Sequence, residues 1–429
     1  MKWLVVGAAL LAMYPIARIV RSRPRVLMIL VTVMCALPFV NLDAFDIDLI
    51  VDAGYRGESN GFTISIVDVL AGILFLALPK SPHPSPYRFS RFFYFACCVL
   101  SVAFAAVPLY SWFSISKLLR GFFMLATVVR VAEDRRLAPS ILNGLATGVV
   151  LSALMCVYQR YVWHMNQVDA WMPHQNTLGM AVDMIFPIAF ALLLVGPKWK
   201  FSLAVVAASA ICIVLTLSRG SMALFVVDAL LVFFGSLFRN VSTRKVRMGI
   251  VFALCGILVV AKSYDSIIDR FEHAPEASAN ARVHFNAAAK AMINDHPMGI
   301  GLNQYSHLLG SGGYAQAQNL PRIDYGGIAH HIYWLTLAEL SYVGLFAYLC
   351  MLAVPLFLAG RAAFRSSKKD VRGDVMLGCF AGLLSMYAQG MLEWAARQTP
   401  IIYIFFMLCG VVAVLSRELQ PTFGQGKAR

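Results

Sequence analysis

Thirteen long apolar runs govern what this chain can fold into. They cover residues 3–20, 26–42, 62–79, 92–110, 112–131, 140–161, 177–196, 201–217, 220–238, 248–262, 332–358, 375–392 and 401–416. A helix that crosses a bilayer needs about 20 predominantly apolar residues, with about 17 as a practical floor. The runs predict an all-α polytopic membrane protein, a bundle of 12 or 13 transmembrane helices forming one integral membrane domain over residues 1–429. The opening "MKWLVVGAALLAMYPIARIV" has one early Lys and no small-residue cleavage site, so it reads as a retained helix.

Only 14% of the residues are charged and 59% are hydrophobic, whereas soluble domains carry about 25% charged residues. That excludes an ordinary globular enzyme and a disordered chain. The nine cysteines all lie inside apolar runs with no CxxC spacing. A disulfide frame and a cysteine zinc site are therefore excluded, and the cysteines read as small core residues.

The formal net charge is +14, and its location decides its meaning. Of the 36 Lys and Arg residues, 24 fall in residues 18–25, 80–91, 130–136, 198–200, 239–247, 361–372 and 417–429. These connections alternate with the spans so that all share one side, which the positive-inside rule makes cytoplasmic. The opposite side holds the acidic loop "NLDAFDIDLIVDAGYRGESNG". The basic residues thus read as solvated and orienting, with no nucleic-acid partner expected. Trp112, Trp163, Trp171, Trp199, Trp334 and Trp394 sit near span ends, as an aromatic belt at the lipid bilayer surface would.

Chemistry gathers on the outer side. Residues 263–330 form a loop too long for a passive connector, and "ANARVHFNAAAKAMINDH" within it has the pattern of an amphipathic helix. His164, His174, His273, His284, His296, His307, His330 and His331 map there, with Arg160, Arg219, Arg270, Arg282, Arg322 and Arg397; His83 alone of the nine His is cytoplasmic. The sequence has no P-loop, no GxGxxG after a strand, no HExxH and no GxSxG, so nucleotide-driven and hydride chemistry find no support.

Three constellations stand out. Arg219 in "LTLSRGSMALF" opens a span at the outer interface, where a cation opposes the helix dipole. It reads either as a side chain snorkelling to water or as a bidentate phosphate clamp. Arg282 and Lys290 in "ARVHFNAAAKAMINDHPMGIGLNQY" are eight apart and can share a helix face before "HPMGIG" ends the helix. Each is either a solvated loop charge or part of a site. His330 and His331 in "AHHIYWLTLAELSYVGL" mark the return into the bilayer, and histidine is the natural general base for an alcohol acceptor.

Weaker signals accompany them. Lys117 and Arg120 in "SWFSISKLLRGFF" share a helix face near an outer span end, where they either snorkel or contact lipid phosphate. Asp46-Ile47-Asp48 is a DxD in the first outer loop, read as solvated acids rather than a metal site. Asp68, Asp183, Asp228 and Glu339 lie within spans and are expected to face partners inside the bundle. No histidine pair has ligand spacing on one helix face, so no metal and no cofactor is expected.

Together these stretches resemble the O-antigen ligase and polysaccharide polymerase superfamily of bacterial inner membranes. Its patterns run S-R-G at the start of an outer-facing helix, then R…(K/E)DHPlxGxGxxxY, then (A)HNxYxxxxxELGxxGL. This chain gives Ser218-Arg219-Gly220; Arg282 with Asp295-His296-Pro297, Gly299, Gly301 and Tyr305; then Ala329-His330, Tyr333, Glu339, Gly344 and Leu345. "MPHQNTLGM", with His174, Gln175 and Asn176, is similar to the family's H-x-N-x-x-G stretch. His331 stands where the family usually has Asn, and Ser341 where it usually has Gly. The motifs cover about residues 171–346.

The resemblance implies glycosyl transfer at the periplasmic face of the bacterial inner membrane. The donor would be an undecaprenyl-pyrophosphate-linked glycan. The acceptor would be a sugar hydroxyl, on lipid A-core for a ligase or on another lipid-linked glycan for a polymerase. Arg219 and Arg282 would hold the pyrophosphate, and His330 would take the acceptor's proton with inversion at the anomeric carbon. Lys117, Arg120, His174, Asn176, His331 and Tyr333 are the expected substrate contacts. Chain-length regulators or export proteins are the expected protein partners. The alternative is a lipid-linked oligosaccharide flippase or other polysaccharide transporter, which would carry charges along a central path.

Overall fold

The computed structural model describes residues 2–40, 46–262 and 276–419. Arg270 and His273 of the long loop, and most of the basic tail, lie outside them. A helix occupies each of the thirteen apolar runs. In chain order these are α1 (Lys2–Arg21), α2 (Pro24–Ala36), α3 (Ile66–Ala77), α4 (Arg88–Ser101), α5 (Pro108–Glu133), α6 (Ala138–Tyr161), α7 (Gln175–Val195), α8 (Trp199–Thr216), α9 (Arg219–Arg239) and α10 (Thr243–Lys262). The long loop then adds α11 (Glu276–Asp295), α12 (Tyr305–Ser311) and α13 (Tyr314–Ala317) before α14 (Ile332–Arg365), α15 (Val371–Gln389) and α16 (Thr399–Glu418). Among the described residues seven, α1, α6, α7, α8, α9, α14 and α16, are long and apolar enough to cross a membrane. The chain is an all-α polytopic membrane protein.

The run 62–79 is helical only in part. Its first residues form β2 (Gly61–Ser65), which pairs antiparallel with β1 (Asp46–Val51), Asp46 facing Ser65 and Asp48 facing Thr63. The β-branched alternation of "GFTIS" suits a strand. A capping box then starts α3: the Ser65 hydroxyl accepts from the Val67 N–H, and the Asp68 carboxylate accepts from the Ser65 N–H at 2.9 Å. Twelve residues rise about 18 Å, short of a hydrocarbon core of about 30 Å, and the hairpin leads directly into α3.

The centre of the bundle is α7, with 89% of its most apolar window buried, as expected for a helix apolar all round. It crosses α15 at close range because α15 presents Gly378 and Gly382. A Cβ on Gly382 would lie 2.4 Å from the Met184 carbonyl oxygen, and one on Gly378 2.6 Å from the Ile188 Cα. This is the small-residue spacing that lets helix backbones touch in membranes.

Helix α14 is broken at Ser341, where φ is 65° and ψ −177°. The "HPMGIG" turn fills the break. The N–H of Ile300 donates to the Ala338 carbonyl and that of Gly301 to the Glu339 carbonyl, both at 3.0 Å. Gly299 (φ +84°) and Gly301 (φ +95°) take the left-handed backbone this needs, and a Cβ on Gly299 would sit 2.6 Å from the Glu339 oxygen. Interrupted helix at this depth is tolerated because protein, not lipid, satisfies the freed groups.

At the other end of the bundle, two of the basic residues depart from the solvated role. Arg239 and Lys245 are 3% and 1% exposed, and both pair with Asp374, at 3.1 and 3.8 Å. Arg239 also donates to the carbonyls of Ser367 and Asp370. Burial of a cation requires such partners.

Candidate active site

The connections at the end of the bundle away from the basic loops enclose a cleft of about 400 Å³. Its walls include Pro38 after α2, Glu58 from the hairpin, Trp171 and His174 ahead of α7, His330 ahead of α14, and Glu393 and Trp394 between α15 and α16. The buried Gln159 of α6 shapes the wall before α7. Its amide bonds Asp169 and both the N–H and the carbonyl of Ala170, which sets Trp171 at the cleft.

His330 sits at the cleft with its ring stacked on Phe285 of α11, centroids 5.8 Å apart. Gly327 makes room for that ring, since a Cβ there would lie 2.4 Å from Phe285. Burial first, and then the Arg282 cation, push the His330 imidazole down to about 4. The same two causes, in the same order, lower His174. Both rings are therefore neutral at physiological pH.

Arg282, one turn before Phe285 on α11, reaches Glu393 at 2.5 Å. The same Glu393 oxygen accepts from the Asn176 amide at 2.5 Å. Burial pushes the Glu393 carboxyl up, and Arg282 and Asn176 work against that shift. His174 caps α7, its Nδ1 accepting from the Asn176 N–H at 3.2 Å. The Gln389 amide at the end of α15 then donates to the Asn176 carbonyl at 3.2 Å and to the Ser221 hydroxyl at 2.9 Å. Gly179 permits this join, because a Cβ there would lie 2.0 Å from Ser221 Oγ. One polar chain thus links the H-x-N-x-x-G stretch, the S-R-G turn, Arg282 and the α15–α16 connection.

The expected residues divide. His174 and His330 line the cleft, and Arg282 and Asn176 meet at Glu393 on its wall. Arg219 is exposed on the first turn of α9 and is not part of the cleft lining; Gly220 beside it faces Leu392. His331 caps α14, its Nδ1 accepting from the Trp334 N–H at 3.3 Å. The Tyr333 hydroxyl donates to the Tyr387 carbonyl at 2.8 Å and ties α14 to α15. Lys290 lies over the Trp334 ring at 4.7 Å. Trp112, Trp163 and Trp199 are exposed, as a belt requires, while Trp171 and Trp394 face the cleft.

Lys117 and Arg120 have internal partners and do not line the cleft. Lys117 Nζ donates to the Glu58 carbonyl at 2.6 Å. Arg120 bonds Asp68 at 2.7 Å, Thr63 at 2.9 Å and Tyr403 at 2.6 Å. Beside them Arg397 is buried between Glu58, at 2.7 Å, and Glu339, and donates to Thr336. Glu339 also accepts from the Tyr305 N–H. Burial pushes the Glu58 carboxyl up, but the Arg397 and Lys117 cations together with hydrogen bonds from Ser114 and Arg397 hold it low. This charge-balanced cluster locks hairpin, loop and helices under the cleft.

Sequence reasoning missed Glu393, Gln389 and Glu58. The available signal for Glu393 was an acid in a connection that charge bias places on the side opposite the basic loops, four residues before Arg397.

Residues 204–349 match the family described as O-antigen ligase. That segment carries Arg219, Arg282 and His330, so the match covers stretches in which the sequence resembles the O-antigen ligase and polymerase superfamily. A comparison with curated proteins found no match.

Proposed function

With that match as premise, we propose that the chain moves a glycan from a polyprenyl-pyrophosphate carrier to a sugar hydroxyl, with the cleft facing the periplasm. One observation carries the reading: a neutral buried histidine, an arginine and a buried carboxylate converge on one cleft, at the end of the bundle the basic loops avoid.

The chemistry follows from those groups. The acceptor oxygen bonds to the anomeric carbon as the bond from that carbon to the pyrophosphate oxygen breaks. The bonding pair leaves with the pyrophosphate, and the configuration inverts. His330 takes the acceptor's proton, which a neutral imidazole can do. The growing negative charge on the leaving group needs preset cations. Arg282 is aimed by Glu393 and Asn176, and Arg219 stands at the mouth of α9, where its fork can meet phosphate oxygens. The pyrophosphate linkage supplies the driving force. In this reading Lys117, Arg120 and Tyr333 serve the scaffold, and His331 starts α14.

The test uses membranes of a deletion strain complemented with each variant. Arg219→Ala, Arg282→Ala and His330→Ala are each expected to lower transfer at least about 100-fold while protein level stays unchanged. Wild-type polymer output from all three would sink the reading. In the deletion strain, single repeat units on the lipid carrier identify a polymerase, and long lipid-linked polymer with bare lipid A-core identifies a ligase. Intermediates trapped on the cytoplasmic leaflet would mean a flippase instead.

A further inference from the structure

A second cavity lies at the opposite, basic end of the bundle, enclosed by α6, α7, α8, α15 and α16, with a volume of about 560 Å³. That is within the range of small-molecule sites, yet its walls are mostly apolar, with Asn143 and Ser202 as polar exceptions. Along α7 it runs from Gly196 to Ile185, a depth of roughly 16 Å at 1.5 Å per residue. That is about half of a 30 Å hydrocarbon core, the depth of one leaflet.

The mouth is different in kind. Arg135, Lys198 and Arg372 stand there with one carboxylate, Glu418. Arg372 is paired with Asp370 at 2.7 Å and with Glu418 at 2.9 Å. Arg135 and Lys198 are exposed and form no ion pair with any described residue. The site therefore offers an apolar shaft one leaflet deep, topped by two uncommitted cations.

We propose that this cavity holds an anionic phospholipid of the leaflet on the basic side, its headgroup phosphate on Arg135 and Lys198 and one acyl chain in the shaft. Asn143 and Ser202 give water few partners in a shaft otherwise apolar, and an empty shaft would forfeit the dispersion contacts of its lining. A zwitterionic lipid fits the shaft but gains less at the mouth, so the cations select an anionic headgroup. The proposal is independent of the transfer chemistry at the other end.

The full chain, extracted in mild detergent from membranes containing phosphatidylglycerol and phosphatidylethanolamine, is weighed by native mass spectrometry. Wild type is expected to retain one phosphatidylglycerol per chain. Reversing both cations, Arg135→Glu with Lys198→Glu, is expected to lower its retention at least about 20-fold, from roughly fivefold per cation. Arg136→Glu with Lys200→Glu, exposed on the same face but outside the cavity, keeps the lipid. Ala189→Phe, which fills the shaft without touching charge, loses it. Equal retention of phosphatidylethanolamine by wild type, or unchanged retention in the Arg135 and Lys198 reversal, overturns the proposal. Equal loss in the Arg136 and Lys200 control does so as well, since it would reduce the effect to general surface charge.

Discussion

Ser341 holds a backbone conformation that glycine adopts freely, at the position where the resembling family usually has Gly. A non-glycine residue in such a region costs about 1 to 3 kcal/mol, here tolerated because the N–H groups of Ile300 and Gly301 pin the break. Ser341→Gly is expected to raise the melting temperature in detergent by relieving about 1 kcal/mol or more, and an unchanged or lower melting temperature would contradict that account. His330 makes the second residue-scale prediction. Its folded value near 4 is below the ordinary 6.5, so the base form persists as pH falls through 6 and is lost only as pH approaches 4. The acid limb of kcat/KM, which reports the empty site, is expected near that value. A bound pyrophosphate offsets Arg282 and raises the imidazole, so the limb of kcat lies at higher pH. Paired pH–rate profiles decide it, and a kcat/KM limb near 6.5 would remove His330 from the role.

Among elements, the crossing of α7 and α15 is the most exposed to substitution. Gly382→Val places side-chain carbons 2.4 Å or closer to the Met184 carbonyl, and overpacking of this kind costs about 1 to 3 kcal/mol. The expected result is a lowered melting temperature, with transfer lost in proportion to the unfolded fraction. The positions of the helices were legible because length and apolarity alone specify a span. The start of α3 was not: five residues of strand alternation merge into the apolar run that follows. The polar partners were legible least. Glu393 meets Arg282 from 111 residues away, and Asp68 meets Arg120 from 52, separations that no local spacing reports. Lys117 and Arg120 read from the sequence as substrate contacts, and their ties to Glu58, Thr63, Asp68 and Tyr403 are of this long-range kind. The "HPMGIG" and "ELSYVGL" motifs were recognised as signatures, while their shared task, splicing the loop onto a broken helix, shows only in the backbone hydrogen bonds.

At the scale of the molecule, the two ends carry opposite characters, a cleft of His, Arg and Glu at one and basic loops at the other. The proposed orientation, with the basic loops inside as the positive-inside rule expects, faces the cleft outward. Cysteines at Ser311, exposed on the cleft side, and at Ser367, exposed among the basic loops, test this in intact spheroplasts. A membrane-impermeant maleimide is expected to label Ser311→Cys directly and Ser367→Cys only after permeabilisation; the reverse pattern would invert the protein. The broken α14 also bears on how the chain is made. Ile300 and Gly301, which satisfy the carbonyls of Ala338 and Glu339, emerge from the ribosome before the helix they complete. On the proposed orientation the loop is exported before α14 enters the translocon, which gives biogenesis a built-in order: the secreted segment waits, and the incoming helix settles against it.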